Sequence, residues 1–559
     1  MRTTIDSVRN WHIYLAIIIV GMITYGKCIA FEYTYADDTQ LVVVNQDLLS
    51  NFANIPKLFT TDVFISVTDP QMFYRPFFNI LLMVETHIAK GSPALYHLTN
   101  ILLHLGCCIL IFTILQQLGC SKQIAGMAAM LFCVHPLNAS AIAWIPGQND
   151  IFLAALLMGS FSFLLRALET GKIVPLVGHF VLFFLALLTK ESAIVFPLLS
   201  MSYVYFFHRS IPRRREWILS LFSYLCLIAV WYGLRNLVPQ TFTAHLKVEI
   251  LLENSFKSIP GLLLYIGKVI LPFNLSIFPN LTDNSVWPGL VSIALFLTVL
   301  AIRRPSSVKR ILWGLGWFLL FLVPTLVSGN IYREHRAYTA FLGLLFALTQ
   351  LPLVQSVNLK KTAHVLGLVV ILAVFGVVSM LYSEQYRNRT AYATSSYTSA
   401  PSIDDSYASL AGLFIDEGNY NDAERVLRKG LDRLPGMKTA HRMLGDILAH
   451  RHEYAKAAQE YETSLRMDPL QLYTYIMYGK MCLEAGKIDD ASRLWRTSVV
   501  INPNFILGYY YLANFYIHVK NNPDSAMLYA RKIQQRGVDV MPELLRAIQN
   551  NPLYGKRKQ

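Results

Sequence analysis

The chain has 559 residues, 54% of them hydrophobic and 15% charged, and its 49 Lys and Arg against 35 Asp and Glu give a formal charge of +14. A mean hydropathy of +0.40, with charge well below the ~25% usual in soluble domains, excludes a soluble globular enzyme and indicates a polytopic membrane protein. The basic residues are spread over loops rather than gathered on one soluble face, which excludes a nucleic-acid footprint and reads as loop charge and lipid contact.

Met1 to Asn10 carries Arg2 and Arg9 ahead of a span too long for a signal-peptide core, and is expected to be a retained signal anchor. Apolar runs long enough to cross about 30 Å of hydrocarbon lie near 12–30, 94–118, 123–138, 148–166, 173–189, 192–208, 216–236, 288–303, 311–329, 338–354 and 363–382. Basic loops set their direction, because Lys and Arg accumulate on the cytoplasmic side. Arg209 with Arg213-Arg214-Arg215, Arg303-Arg304 with Lys309-Arg310, and Lys360-Lys361 are all cytoplasmic if about eleven spans follow a cytoplasmic N-terminus. Asp37, Asp38 and the C-terminal part then face the outer side, periplasm or lumen. Ser258 to Phe273, interrupted by Gly261 and Gly267, is expected as a re-entrant or interfacial helix. Pro76 to Ala89 is expected as a helix on the outer surface. Large outer loops at 31–93 and 237–287 frame the expected chamber.

Seven Cys are scattered, mostly in apolar runs, and only Cys482 lies in the polar C-terminal part, so no internal disulfide is expected there. No Cys or His spacing reads as a metal motif, and no metal site is expected. After a Ser/Thr/Tyr-rich, exposed linker (384–405), a period of 34 residues appears: Pro435, Pro469 and Pro503 share it, as do Ala423, Ala457 and Ala491. This is the tetratricopeptide period. Residues 406–559 are therefore expected to form an α-solenoid, with a degenerate fourth repeat near Leu507 to Arg536 as its cap. Tyr475, Tyr478 and Tyr510 are candidates to line a peptide groove, or alternatively to pack between repeats. The fold class is all-α: a membrane domain (1–383), the linker, and the repeats.

Two adjacent carboxylates at the lip of a membrane are costly unless they face water or a polar ligand. That makes Asp37 and Asp38 either catalytic or the start of a solvated loop. Further motifs follow in order: Asn45, Tyr74-Arg75-Pro76, His97-Leu98-Thr99-Asn100 with His104, and His135-Pro136. Gly147-Gln148-Asn149-Asp150, Thr189-Lys190-Glu191 and Arg333-Glu334-His335-Arg336 with Tyr338 complete the series. The ordered set, through most of residues 30–345 and again in the repeats, resembles the transmembrane-and-tetratricopeptide-repeat O-mannosyltransferases, membrane enzymes of the GT-C fold. Two departures stand out: Gln148-Asn149 occupies a place where the family usually has Gly-Arg, and the short array suggests a bacterial relative.

The resemblance implies transfer of one sugar, with mannose expected, from a polyprenyl-phosphate donor to Ser or Thr hydroxyls of a protein outside the cytoplasm, with inversion. Asp37 matches the family's base, and Asp38 supports it. Arg75, Lys190, Arg333, His335 and Arg336 are candidates for the donor phosphate, because basic groups steady a departing phosphate. Asn45, His97, Asn149 and Asp150 are further chamber candidates. Asp150 has helix capping as its plainer role and Lys190 an ion pair with Glu191. The expected partners are the lipid-linked donor and an acceptor polypeptide held by the repeats, with no added cofactor and no nucleic acid. A non-catalytic envelope scaffold and a lipid- or oligosaccharide-directed transferase remain alternatives.

Overall fold

The computed structural model describes residues 9–64, 73–208, 214–238, 255–272, 274–305, 307–326, 331–535 and 540–554. These residues form helices and no strand. They divide into two compact units, one running to Ala400 and one beginning at Pro401.

In the first unit six helices are long and apolar enough to cross a membrane: Asn10–Ala30, Ala94–Gln117, Ile145–Thr170, Glu216–Arg235, Val308–Thr325 and Thr362–Tyr386. A bent pair, Lys122–Val134 and Pro136–Ala143 at 56°, makes a seventh if counted as one span. The bend has a local cause. His135 is extended (φ −71°, ψ 127°), as a residue before proline prefers, and Pro136 opens the next helix where its missing N–H costs nothing. The imidazole of His135 bridges the break: Nδ1 accepts from Leu137 N at 3.2 Å and Nε2 lies 2.8 Å from Val269 O. The remaining expected spans are shorter helices, Ile173–Leu187, Glu191–Phe207, Trp287–Ile302 and Tyr338–Thr349. By length and composition alone, six or seven crossings qualify among the described residues, and the expected count of about eleven is not confirmed. The chain is an integral membrane protein.

Both segments expected to lie on or re-enter the membrane form helices. Pro76–Ala89 buries Phe78, Leu82 and Met83 and leaves Val84 and Ile88 exposed. The helix Gly261–Ile270 occupies the core of the segment read as re-entrant. Arg303-Arg304 follow Trp287–Ile302 directly, and Lys360-Lys361 precede Thr362–Ser383. Arg209 and Arg213 lie outside the described residues, as do parts of both large outer loops.

One expectation is corrected. The segment read as an exposed linker contains a helix, Arg389–Ser399, that belongs to the first unit. Asn388 Oδ1 caps it by accepting from Ala391 N at 2.9 Å. Tyr392, Ala393 and Ser396, which share one helical face, are buried.

The second unit is an array of helix pairs: Asp404–Asp416 with Tyr420–Arg433, Lys438–His450 with Tyr454–Met467, Leu472–Glu484 with Ile488–Ile501, and Ile506–His518 with Pro523–Gln534. Ala423, Ala457 and Ala491 are each fully buried, the small residues that the period requires where two helices meet. The turns repeat as well: Gly418, His452 and Gly486 take left-handed backbone (φ 75°, 61° and 76°) at the same place in successive repeats. A further helix, Pro542–Gln549, covers the last pair, burying Leu544 and Ile548 against Ile506, Ala526 and Ala530. That helix, rather than the fourth repeat, ends the array.

Candidate active site

The loop after the first long helix separates the two acids. Asp38 is fully buried: its carboxylate accepts from Thr34 N at 2.6 Å, from Thr34 Oγ at 3.0 Å and from Ala36 N at 2.8 Å. Burial pushes this carboxyl above its usual range, against the pull of those bonds. The ring it closes holds Tyr35 in left-handed backbone (φ 55°) and turns Asp37 outward, exposed, at the start of a short helix. The equivalence of the pair in the sequence is therefore lost. Asp38 shapes the loop, and Asp37 is the carboxylate it presents. Asn45 serves the same loop, its amide donating to Phe64 O at 2.7 Å.

Trp144 ties this loop to a basic segment. Its indole N–H donates to Thr34 Oγ at 3.2 Å. Its ring lies 5.4 Å from the His335 ring and 5.4 Å from the Arg333 guanidinium, which also sits 4.8 Å over Phe278. Tyr392 stacks on Trp144 at 6.4 Å, within the electrostatic reach of Arg333, Asp37 and Asp38. Neither Trp144 nor Tyr392 was singled out from sequence; an aromatic flanking a polar motif is the only signal each leaves there.

The basic segment itself is pinned from below by Glu334. That carboxylate, 2% exposed, pairs with Lys268 at 2.6 Å and accepts from Tyr382 Oη at 2.6 Å and Ser276 N at 3.2 Å. Tyr265 Oη donates to Arg333 O at 3.0 Å. A lysine inside an apolar segment marks a partner in advance, but the sequence does not say which acid.

The remaining candidates meet at the N-terminus of Gln148–Thr170. Its first three residues each hold a different element. Gln148 donates to buried Glu85 at 2.7 Å. Asn149, with its amide oxygen toward Arg75, accepts from Nη1 at 2.6 Å while its nitrogen donates to Thr189 O at 3.1 Å. Asp150 pairs with Lys190 at 2.6 Å. Arg75 in turn pairs with Glu191 at 3.1 Å. The expected Lys190–Glu191 pair is thus replaced by two crossed pairs, because adjacent side chains leaving an extended Lys190 (φ −159°, ψ 137°) point apart. Gly147 makes the arrangement possible: a Cβ there would stand 2.5 Å from Ala141 O.

Arg75, Lys190, Arg333 and Arg336 all act on His335, which burial and these cations hold well below its usual pKa. His335 is therefore a neutral donor and acceptor at pH 7, not a fifth cation. Burial also lowers Lys190 and Arg336, opposed in both cases by Asp150. Among the described residues, Arg75, Lys190, Arg333 and Arg336 thus gather around His335 together with the carboxylates of Asp150 and Glu191. His97 stands apart under Phe31, ring centroids 6.0 Å apart, with neither ring nitrogen hydrogen-bonded. In the repeats, Tyr478 stacks on Tyr461 at 5.3 Å and donates to Glu462 at 2.9 Å, which is packing between helices. Tyr475 and Tyr510 are half-buried beside the core.

Residues 75–232 match the family described as dolichyl-phosphate-mannose-protein mannosyltransferase, and residues 410–471 match the tetratricopeptide repeat family. Stretches of this chain are similar to parts of curated protein O-mannosyl-transferases. The chain is 26% identical over 151 residues to human protein O-mannosyl-transferase TMTC1, covering 26% of this chain and 17% of that one. With the mouse protein O-mannosyl-transferase TMTC2 it shares 26% identity over 229 residues, 38% of this chain and 27% of the relative. The matched stretches thus span less than a third of either relative. Among solved structures, MamA aligns with 21% identity and a TM-score of 0.23 over 26% of this chain and 84% of its own.

Proposed function

We propose that this protein transfers a mannosyl group from a polyprenyl-phosphate donor to Ser or Thr hydroxyls of an acceptor protein on the outer side of the membrane, with inversion. The observation that carries the reading is the shared wall: Trp144 joins the loop that presents Asp37 to the segment that carries Arg333 and His335. A carboxylate on one side and a cluster of basic groups on the other is what this reaction asks for. Asp37 takes the proton of the acceptor hydroxyl as its oxygen bonds to the anomeric carbon, and the bond from that carbon to the phosphate oxygen breaks. The departing phosphate gains charge, which Arg333 and Arg336 meet directly and Arg75 and Lys190 reinforce. Attack opposite the leaving phosphate needs one base and no second nucleophile, and the inward-turned Asp38 fits that economy. On this reading the cations do the work a metal would do in the transfer, and the repeats recruit the polypeptide acceptor.

The test uses membranes containing the parent protein or Asp37→Asn, incubated with labelled polyprenyl-phosphate mannose. Label entering the protein fraction only with the parent supports the proposal. Label confined to lipid would replace the acceptor, and equal labelling by Asp37→Asn would remove Asp37 as the base.

A further inference from the structure

The first unit gathers a second set of reactive side chains that the transfer chemistry does not use. His104 and Cys108 lie one turn apart on the helix Ala94–Gln117, and Cys133 lies near the end of Lys122–Val134, just before the bend at His135 and Pro136. All three are buried, and one ring nitrogen and the two sulfurs lie within 4.8 Å of one another. Cys108 Sγ stands 3.7 Å from His104 Nε2. Around a tetrahedral zinc, with Zn–S of about 2.3 Å and Zn–N of about 2.0 Å, ligand atoms are about 3.5–3.8 Å apart. One of the three separations has the spacing that a zinc ion imposes, and the other two lie within 4.8 Å.

Its surroundings fit the same ion. Tyr338 Oη is 2.7 Å from His104 Nδ1, the outer contact that orients a metal-bound imidazole. Tyr25, fully buried, has a hydroxyl that makes no regular hydrogen bond and lies electrostatically close to Cys133, Cys28 and Cys108, with Ser379 beside it. A neutral ligand, the Tyr25 hydroxyl or a water, would complete the fourth position. Charge selects the metal: two thiolates and a neutral imidazole cancel a divalent cation, whereas a monovalent one would leave a net charge among apolar helices, where charge is expensive.

We infer that His104, Cys108 and Cys133 form a structural zinc site that fastens the helix Ala94–Gln117 to Lys122–Val134 just before the bend. Binding exchanges two thiol protons, released to water, for two Zn–S bonds. The His104 proton that Nε2 directs at Cys133 O moves to Nδ1, which then donates to Tyr338 Oη, and the freed Nε2 lone pair forms the Zn–N bond. No redox change is involved, and the site is independent of the proposed transfer chemistry. Sequence spacing could not reveal it, because the third ligand comes from another helix.

The full-length, tag-free protein purified in detergent without chelator should hold about one zinc per chain by elemental analysis. Cobalt exchanged into it should give a thiolate-to-metal charge-transfer band. In Cys108→Ser/Cys133→Ser the retained zinc should fall tenfold or more and the band should vanish. A parent protein with neither stoichiometric zinc nor the cobalt band overturns the inference even if the variant fails to fold. A variant that keeps its zinc, or a Cys108–Cys133 disulfide found by non-reducing peptide mapping, overturns it equally.

Discussion

Removing Glu334 from its buried pair with Lys268 should cost more stability than any single substitution on the exposed faces. The two side chains are 1% and 5% exposed and 2.6 Å apart. In Glu334→Gln the carboxylate is gone while Lys268 keeps its ammonium in a dry setting. Breaking one side of such a pair costs about 3–5 kcal/mol, because the surviving charge is left uncompensated. Loss of strong acceptors for Tyr382 Oη and Ser276 N works in the same direction. Lys268→Met should cost a similar amount from the other side. The double variant, with neither charge, should recover to within about 1–2 kcal/mol of the parent, since a neutral pair can replace a buried ionic one. The assay is reversible denaturation of the four proteins in one detergent, read as a double-mutant cycle. Single variants that cost less than about 1 kcal/mol, or a double variant as unstable as the sum of the singles, would refute the reasoning. Activity supplies an independent reading: Glu334→Gln frees the segment carrying Arg333, His335 and Arg336, so transfer should fall even at temperatures where the variant stays folded.

Asp37→Asn should lower transfer by about 10²–10⁴-fold with thermal stability unchanged, the range for losing a general base, whereas Asp38→Ala should cost about 1–3 kcal/mol by orphaning Thr34 N and Ala36 N. Equal behaviour of the two variants in paired activity and melting assays would contradict the division of labour between them. Glu85, whose pKa burial raises from 4.5 to about 8, binds its proton in the folded state over a range where the unfolded chain has lost it. Stability should therefore decline as pH rises from about 4.5 to about 8 and then level off. Glu85→Gln should flatten that slope, and an unchanged profile in a pH series of melts would remove Glu85 as its source. Gly147→Ala, with a Cβ set 2.5 Å from Ala141 O, should displace Gln148, Asn149 and Asp150 together. It should cost about 1–3 kcal/mol by overpacking and reduce transfer; full activity at normal stability would show that the turn accommodates the methyl group.

The sequence made legible whatever depends on local periodicity. Pro76–Ala89 appears over the residues expected, and the spacing of 34 delivers the helix pairs with Ala423, Ala457 and Ala491 buried at their crossings. Both rest on one-dimensional patterns that the backbone converts directly into buried faces. Arg389–Ser399 escapes the sequence for the complementary reason: its polar, Ser-rich composition resembles a linker, and the contacts of Tyr392 with Trp144, Phe278 and Tyr386 make its inner face visible. Pairing was the harder problem. Lys190 and Glu191 are neighbours in the chain, so a mutual ion pair is the economical reading of the sequence. Yet the extended backbone at Lys190 sends the two side chains to different partners, Asp150 and Arg75.

That crossing bears on the place where this chain departs from its relatives. The resemblance leads one to expect an arginine immediately before Asp150, and Asn149 stands there instead. The amide of Asn149 accepts from Arg75 while it holds the Thr189 carbonyl. A guanidinium therefore still stands at the start of this helix, but it comes from the residue before Pro76–Ala89 and is oriented by Asn149 and Glu191 rather than carried on the helix. If the donor phosphate needs positive charge at this spot, Asn149→Arg should not be a gain. It would set a second guanidinium against Arg75, whose Glu191 and Asp150 neighbours are already paired with Arg75 and Lys190, and like charges at such range repel by more than a surface pair would return. Asn149→Arg combined with Arg75→Asn, which restores one cation at the helix, should instead transfer better than either single variant. Failure of the double variant to exceed both singles would mean that Arg75 has a role at its own position that no relocated charge supplies.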